Sequence, residues 1–186
     1  MVLESGRKRF EDAIKPFVNK IPLSPNTLSI LAFLLSVSGA ICLLFAPSRN
    51  FLIFAGAVLI ALSGFLDALD GEVARVKGLA SKKGDFVDHV LDRYADVVIL
   101  IGMLLLVEPL YLFFAIEGIL LTSYMGTQAQ ALGLGRLYSG IMGRADGLVI
   151  IIIILIFQFV FPSYEILKWG VIAIAILSNG TAVERA

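Results

Sequence analysis

Apolar residues fall into six long runs separated by short polar connections. The runs cover about residues 26–46, 50–75 with a polar end, 84–107 with a polar start, 110–130, 148–161 and 166–177, the last being short. A helix rises about 1.5 Å per residue, so about 20 apolar residues cross a hydrocarbon core of about 30 Å. The pattern predicts an all-α integral membrane protein whose six transmembrane helices form one membrane domain over residues 23–186. The second, third and fourth runs each join a half that lipid accepts to a half that it does not. Their polar halves are expected to face protein or water.

Residues 1–22 follow a different rule. Leu3, Phe10, Ile14, Phe17, Val18 and Ile21 recur at helical spacing opposite basic residues, which predicts an interfacial amphipathic helix ahead of the first span. Glu4, Glu11 and Asp12 interrupt this segment and argue against a signal peptide. Ser24-Pro25-Asn26 reads as a turn and N-cap that opens the first span.

Composition agrees with the pattern. Hydrophobic residues make up 59% of the 186 and charged residues 16%, which excludes an ordinary soluble globule. The formal charge is zero, from 15 basic and 15 acidic residues, so net charge gives no reason to expect a nucleic-acid partner. The distribution of charge is more informative than its sum. Thirteen Lys and Arg lie on the side of the N-terminus, against Arg49 and Lys168 on the other, which predicts a multi-pass protein with both termini cytoplasmic. Cys42 is the only cysteine and is expected to be structural.

Seven of the fifteen acids lie between Asp67 and Asp96. Asp67, Asp70, Gly71, Ala74 and Arg75 fall on one stripe of a helix, and Gly84, Asp88 and Asp92 on one face of the next. Glu72 lies off the stripe and is expected in solvent. The connection 76–83 contains Gly78 and Ser81 and is expected to turn the chain, pairing the two helices antiparallel so that four carboxylates converge. Such anions repel and cannot all stay ionised at close range unless cations neutralise them. Hard oxygen ligands point to Mg²⁺ or Mn²⁺, and four acids can hold two ions about 3.5 to 4 Å apart, an arrangement suited to phosphoryl chemistry. Gly71 and Ala74 would leave a slot beside Asp67, and Arg75 can fork onto phosphate oxygens.

The pattern Asp67-x₂-Asp70-Gly71-x₂-Ala74-Arg75-x₈-Gly84-x₃-Asp88-x₃-Asp92 resembles the signature of the CDP-alcohol phosphotransferase family, also called CDP-alcohol phosphatidyltransferases. The resemblance implies a membrane enzyme, usually a homodimer, that displaces CMP from a CDP-alcohol donor using a second alcohol as acceptor. It implies that Asp67, Asp70 and Asp88 are metal ligands and that Asp92 is both a ligand and the general base. It places Gly71, Ala74 and Arg75 against the nucleotide, gives Gly84 the role of letting the two helices approach, and adds Ser81, Asn26 and Ser29 near the nucleotide. Relatives that use inositol phosphate resemble this chain at the end of the fourth helix and in the connection after it, where Gln128, and then Arg136 and Arg144, are the candidate acceptor-binding residues. The chain departs from their pattern at Gln128, Gly143 and Gly147, so serine, glycerol phosphate and other small polar acceptors stay open. A site expected at the cytoplasmic membrane interface favours a lipid donor, CDP-diacylglycerol or CDP-archaeol, and a soluble CDP-inositol stays open as the alternative.

Four other residues lie outside the pattern. Glu117 is expected to be structural, Asp85 and Asp96 to lie off or beyond the metal face, and His89 to face the loop. A divalent-cation transporter is the competing reading of the acids, but it gives no role to Gly71 or Arg75.

Overall fold

The structure is a computed structural model that describes residues 18, 20–135, 137 and 139–186. The expected amphipathic helix therefore lies almost wholly outside the described residues, as does Arg136. Six helices form an all-α bundle among the described residues: α1 (Pro25–Phe45), α2 (Phe51–Val76), α3 (Lys82–Gly102), α4 (Pro109–Ala131), α5 (Arg144–Val160) and α6 (Ile166–Arg185).

The helix ends follow from local chemistry. Ser24 Oγ accepts the Thr27 N–H at 3.2 Å, and Pro25, whose missing N–H costs nothing at a first helical position, starts α1. The helix α2 stops at Gly78, which has φ of 65°, a conformation glycine takes without a Cβ clash. Ser81 Oγ then accepts the Gly84 N–H at 3.0 Å and opens α3. The sixth helix exceeds expectation, running on through Ser178, Asn179, Gly180 and Thr181 to Arg185. Its hydroxyls return hydrogen bonds to the preceding turn, Ser178 to the Ile174 carbonyl at 2.7 Å and Thr181 to that of Leu177 at 2.8 Å. The polar tail thus stays helical.

Pro25–Ser48, Phe51–Val76, Pro109–Ala131 and Ile166–Arg185 are each long and apolar enough to cross a membrane. The helix α3 carries two lysines, an arginine and four aspartates, and α5 has 17 residues.

The antiparallel pairing expected for α2 and α3 does not occur as direct helix packing. The helix α1 packs against both, and α2 and α3 scarcely meet, while α4 packs on α6 and α5 lies against α2 and α6. Small residues seat α1 closely: a Cβ on Gly102 would come within 2.7 Å of the Ala40 Cα. Gly84 is corrected by the same arrangement. Its missing Cβ would meet Ser81 Oγ at 3.1 Å and Asn26 Oδ1 at 3.4 Å, so it faces the start of α1 and not α2.

Leu43, Ile60, Ile99, Leu100, Met103, Leu155 and Ile174 form the buried core. Burying each such side chain contributes about 1.5 to 3 kcal/mol relative to exposing it in water. A smaller cluster of Val18, Leu28, Leu69 and Val73 closes the end that carries the acids. Outward faces present Ile30, Leu34, Phe54, Phe113 and Ile176, the surface expected against lipid tails.

Candidate active site

The gap between α2 and α3 is where the acids meet. Asp67 and Asp70 enter it from α2, and Asp88, Asp92 and Asp96 from α3 at successive four-residue steps. Asp67, Asp70 and Asp88 each bring a carboxylate oxygen into a group whose members lie within 4.8 Å of one another. Asp88, His89 and Asp92 form a second such group, so Asp88 belongs to both. Because α1 holds α2 and α3 apart, the carboxylates meet across a space and not across a packed seam.

Asp70 is buried, and its Oδ2 accepts the Ser29 hydroxyl from α1 at 2.5 Å. Asp88 Oδ1 is buried without a hydrogen-bond partner among the described residues. A buried anionic oxygen in that condition is costly unless a cation meets it. Oxygen donors that converge and are short of donors fit Mg²⁺ or Mn²⁺.

Arg144 occupies the centre of the arrangement. Its Nη1 donates to Asp67 Oδ2 at 2.9 Å and its Nε to Asp96 Oδ1 at 3.4 Å, while its Nη2 lies 2.8 Å from Asp92 Oδ1. Arg93 Nη2 lies 3.2 Å from Asp96 Oδ2. A small cavity between α1, α2, α3 and α5 is lined by Asp67, Asp88, Asp92 and Arg144 together with Ser29 and Ser63.

The expected nucleotide residues divide into two groups. Gly71 and Arg75 share a turn of α2, where a Cβ on Gly71 would meet only Arg75 Nη1, at 3.5 Å, so the space beside that backbone is open. Ala74 is half-buried on the same turn. Ser81, Gly84 and Asn26 come together where the starts of α1 and α3 meet. Ser29 is one turn further along α1, on Asp70.

Two expectations are corrected. Glu72 is not in solvent: it is buried, at 2% exposure, and its Oε2 accepts Arg75 Nη2 at 2.6 Å and Nε at 3.0 Å. The adjacent Val73 packs against Val18 and Leu28, so this turn is covered by chain, and the arginine one turn on supplies the countercharge. His89 is half-buried beside the acids, with Nδ1 3.7 Å from Asp88 Oδ2. Asp96 does lie beyond the metal face, but it touches the site through Arg144. Of the remaining candidates, Gln128 is exposed near the end of α4 and Glu117 half-buried within it.

The sequence profile of the CDP-alcohol phosphatidyltransferases matches residues 22–179. The chain belongs to this family. As a CDP-alcohol phosphotransferase it is a membrane enzyme that depends on a divalent metal, which sets aside the transporter reading. It is 37% identical over 168 residues to the archaetidylinositol phosphate synthase of Pyrococcus horikoshii, an alignment that covers 88% of this chain and 81% of that one. Among solved structures it resembles the phosphatidylinositol phosphate synthase of Mycobacterium tuberculosis with CDP-DAG bound, at a TM-score of 0.78 and 26% identity over 95% of this chain and 92% of that one. The same synthase in complex with manganese and citrate matches at 0.78 and 26%, over 94% and 86% of the two chains.

Proposed function

We propose that this phosphotransferase makes an inositol-phosphate lipid, transferring the lipid phosphate of a CDP-activated diacylglycerol or archaeol to the hydroxyl of inositol phosphate and releasing CMP. The observation that carries this reading is the meeting of the Asp67, Asp70 and Asp88 oxygens within 4.8 Å, with the Arg144 guanidinium 2.8 to 2.9 Å from Asp67 and Asp92. An anion-binding fork next to a metal-type carboxylate cluster suits an acceptor that is itself a phosphate ester. The names of the relatives point the same way.

Asp67, Asp70, Asp88 and Asp92 would hold two ions of Mg²⁺ or Mn²⁺, which when bound supply positive charge to the pyrophosphate. Gly71, Ala74 and Arg75 bind the cytidine diphosphate, with Ser81, Gly84, Asn26 and Ser29 around it. Asp92 takes the proton from the acceptor hydroxyl, and the resulting oxygen attacks the phosphorus that bears the lipid alcohol. The bond from that phosphorus to the CMP oxygen breaks, and Arg75 holds the departing phosphate. Arg144 receives the acceptor's own phosphate, with Arg136 and Gln128 contributing from the neighbouring segment. Six spans over residues 23–186, an amphipathic segment over 1–22, a cytoplasmic site and termini, and a homodimer complete the reading.

The test is CMP release from CDP-archaeol and CDP-diacylglycerol in the presence of inositol phosphate and Mg²⁺ or Mn²⁺, with the lipid product identified by mass. Product with inositol phosphate supports the reading. Product with serine or glycerol phosphate alone overturns the acceptor, and turnover of CDP-inositol alone overturns the donor.

A further inference from the structure

Asp96 lies outside the eight-position motif, one turn beyond Asp92 on α3, and is buried at 9% exposure between Ala95 and the core residue Ile99. A carboxylate at such a depth is costly unless it is paired. It is paired twice: Oδ1 accepts Arg144 Nε at 3.4 Å, and Oδ2 lies 3.2 Å from Arg93 Nη2. The first contact reaches from α3 to the opening residue of α5, and the second stays on α3.

The contact at Nε has a geometric consequence. Nε is the donor nearest the side-chain stem, so a partner there sets the plane of the guanidinium and the direction of both terminal nitrogens. Those terminal nitrogens point at Asp67 and Asp92, the acids assigned above to metal and proton transfer. Asp96 is the acid on Arg144 with neither task. The backbone of Arg144 is placed separately, since the Met142 N–H donates to Thr181 Oγ1 at 3.0 Å and the Gly143 N–H to Asp146 Oδ2 at 3.0 Å. Loop contacts thus place the Cα, and Asp96 orients the head group.

We infer that Asp96 is a positioning residue that sets the plane of the Arg144 guanidinium for the phosphate of the acceptor. This rests on the acceptor reading above. Arg93, on the other side of the carboxylate, keeps Asp96 from turning away.

The experiment is steady-state kinetics of Asp96→Asn, Arg144→Gln and the double variant, with a CDP-lipid donor at saturation, Mn²⁺ at saturation, and inositol phosphate varied. Losing one charge-assisted hydrogen bond should raise the KM for inositol phosphate about tenfold in Asp96→Asn. The KM for the donor and kcat should stay within about twofold of wild type. In the Arg144→Gln background the same change should add nothing, because residues that act through one another are not additive. An equal effect of Asp96→Asn with and without Arg144 overturns the inference, since that is what a packing role would give. An unchanged acceptor KM, or equal losses for donor and acceptor, overturns it as well. Should Asp96→Asn not accumulate folded, Asp96→Glu keeps the charge but displaces it by one methylene and is read by the same acceptor-specific rise. A wild-type enzyme that ignores inositol phosphate overturns the acceptor reading and this one together, whereas a responsive wild type with an unchanged Asp96→Asn overturns only the role of Asp96.

Discussion

Arg75 is forked onto a single oxygen of Glu72, one helical turn earlier on α2, with Nη2 at 2.6 Å and Nε at 3.0 Å. The carboxylate is buried and the guanidinium half-exposed, so the pair points a cation out of the bundle beside the open space at Gly71. Glu72→Gln keeps the shape and removes the charge. Weakening a hydrogen bond of this kind costs about 1 kcal/mol, which predicts a roughly fivefold rise in the donor KM with the acceptor KM unchanged. Kinetics with CDP-lipid as the varied substrate checks this. A donor KM equal to wild type would show that Glu72 does not aim Arg75.

Ser29 ties α1 to the acid cluster through its 2.5 Å hydrogen bond to Asp70 Oδ2. Groups that orient a metal ligand typically cost about 10- to 100-fold in metal affinity or activity when removed. Ser29→Ala is therefore expected to raise the Mn²⁺ concentration for half-maximal activity at least several-fold, with the maximal rate recovered at high Mn²⁺. The measurement is rate against free Mn²⁺, and identical curves for variant and wild type would refute the prediction.

Spacing along one helix is enough to put Asp67 and Asp70 on one face and Asp88 and Asp92 on another, because the i, i+3 and i, i+4 relations that align them are local. Helix starts at Ser24-Pro25 and Ser81 were legible for the same reason. Contacts between helices were not. Arg144 opens α5, 77 residues from Asp67 along the chain, and no periodicity relates the two. The wedge of α1 between α2 and α3 depends on Gly102 meeting Ala40, a close approach that the sequence marks only as one more small residue. Glu72 is buried against the expectation because helical phase tells which residues share a face but not what covers it. The polar end of α6 is not legible because hydropathy scores Ser178 and Thr181 as breaks, whereas their hydroxyls are satisfied within the helix.

Gly140 has φ of 122°, and a Cβ there would fall 2.2 Å from Thr181 Cγ2. Arg185 ties the same loop to α4, with Nε on the Ser139 carbonyl at 2.7 Å and Nη1 on that of Thr122, within α4, at 2.8 Å. Gly140→Ala combines a sparsely populated backbone conformation with a clash, each costing about 1 to 3 kcal/mol. Thermal unfolding in detergent should show a Tm lowered by several degrees. The loop leads to Arg144, so the acceptor KM is expected to rise in the same variant. Wild-type Tm would mean that the loop relaxes freely and does not help to place Arg144.

Asp88 and Asp92 share a face of α3, but only Asp88 belongs to both groups of converging ligand atoms, with Asp67 and Asp70 on one side and His89 and Asp92 on the other. Its buried Oδ1 has no hydrogen-bond partner among the described residues, whereas Asp92 Oδ1 already lies 2.8 Å from Arg144. Removing charge at Asp88 should therefore weaken metal binding more than removing it at Asp92. Mn²⁺ binding followed by electron paramagnetic resonance is expected to weaken more in Asp88→Asn than in Asp92→Asn. The Asp92→Asn rate at saturating Mn²⁺ should fall by about 10² to 10⁴, the contribution of a positioned general base. A chelator should abolish wild-type CMP release, and added Mg²⁺ or Mn²⁺ should restore it. If Asp92→Asn regained full rate at high metal, Asp92 would be a metal ligand only and the proton would have to leave through another group.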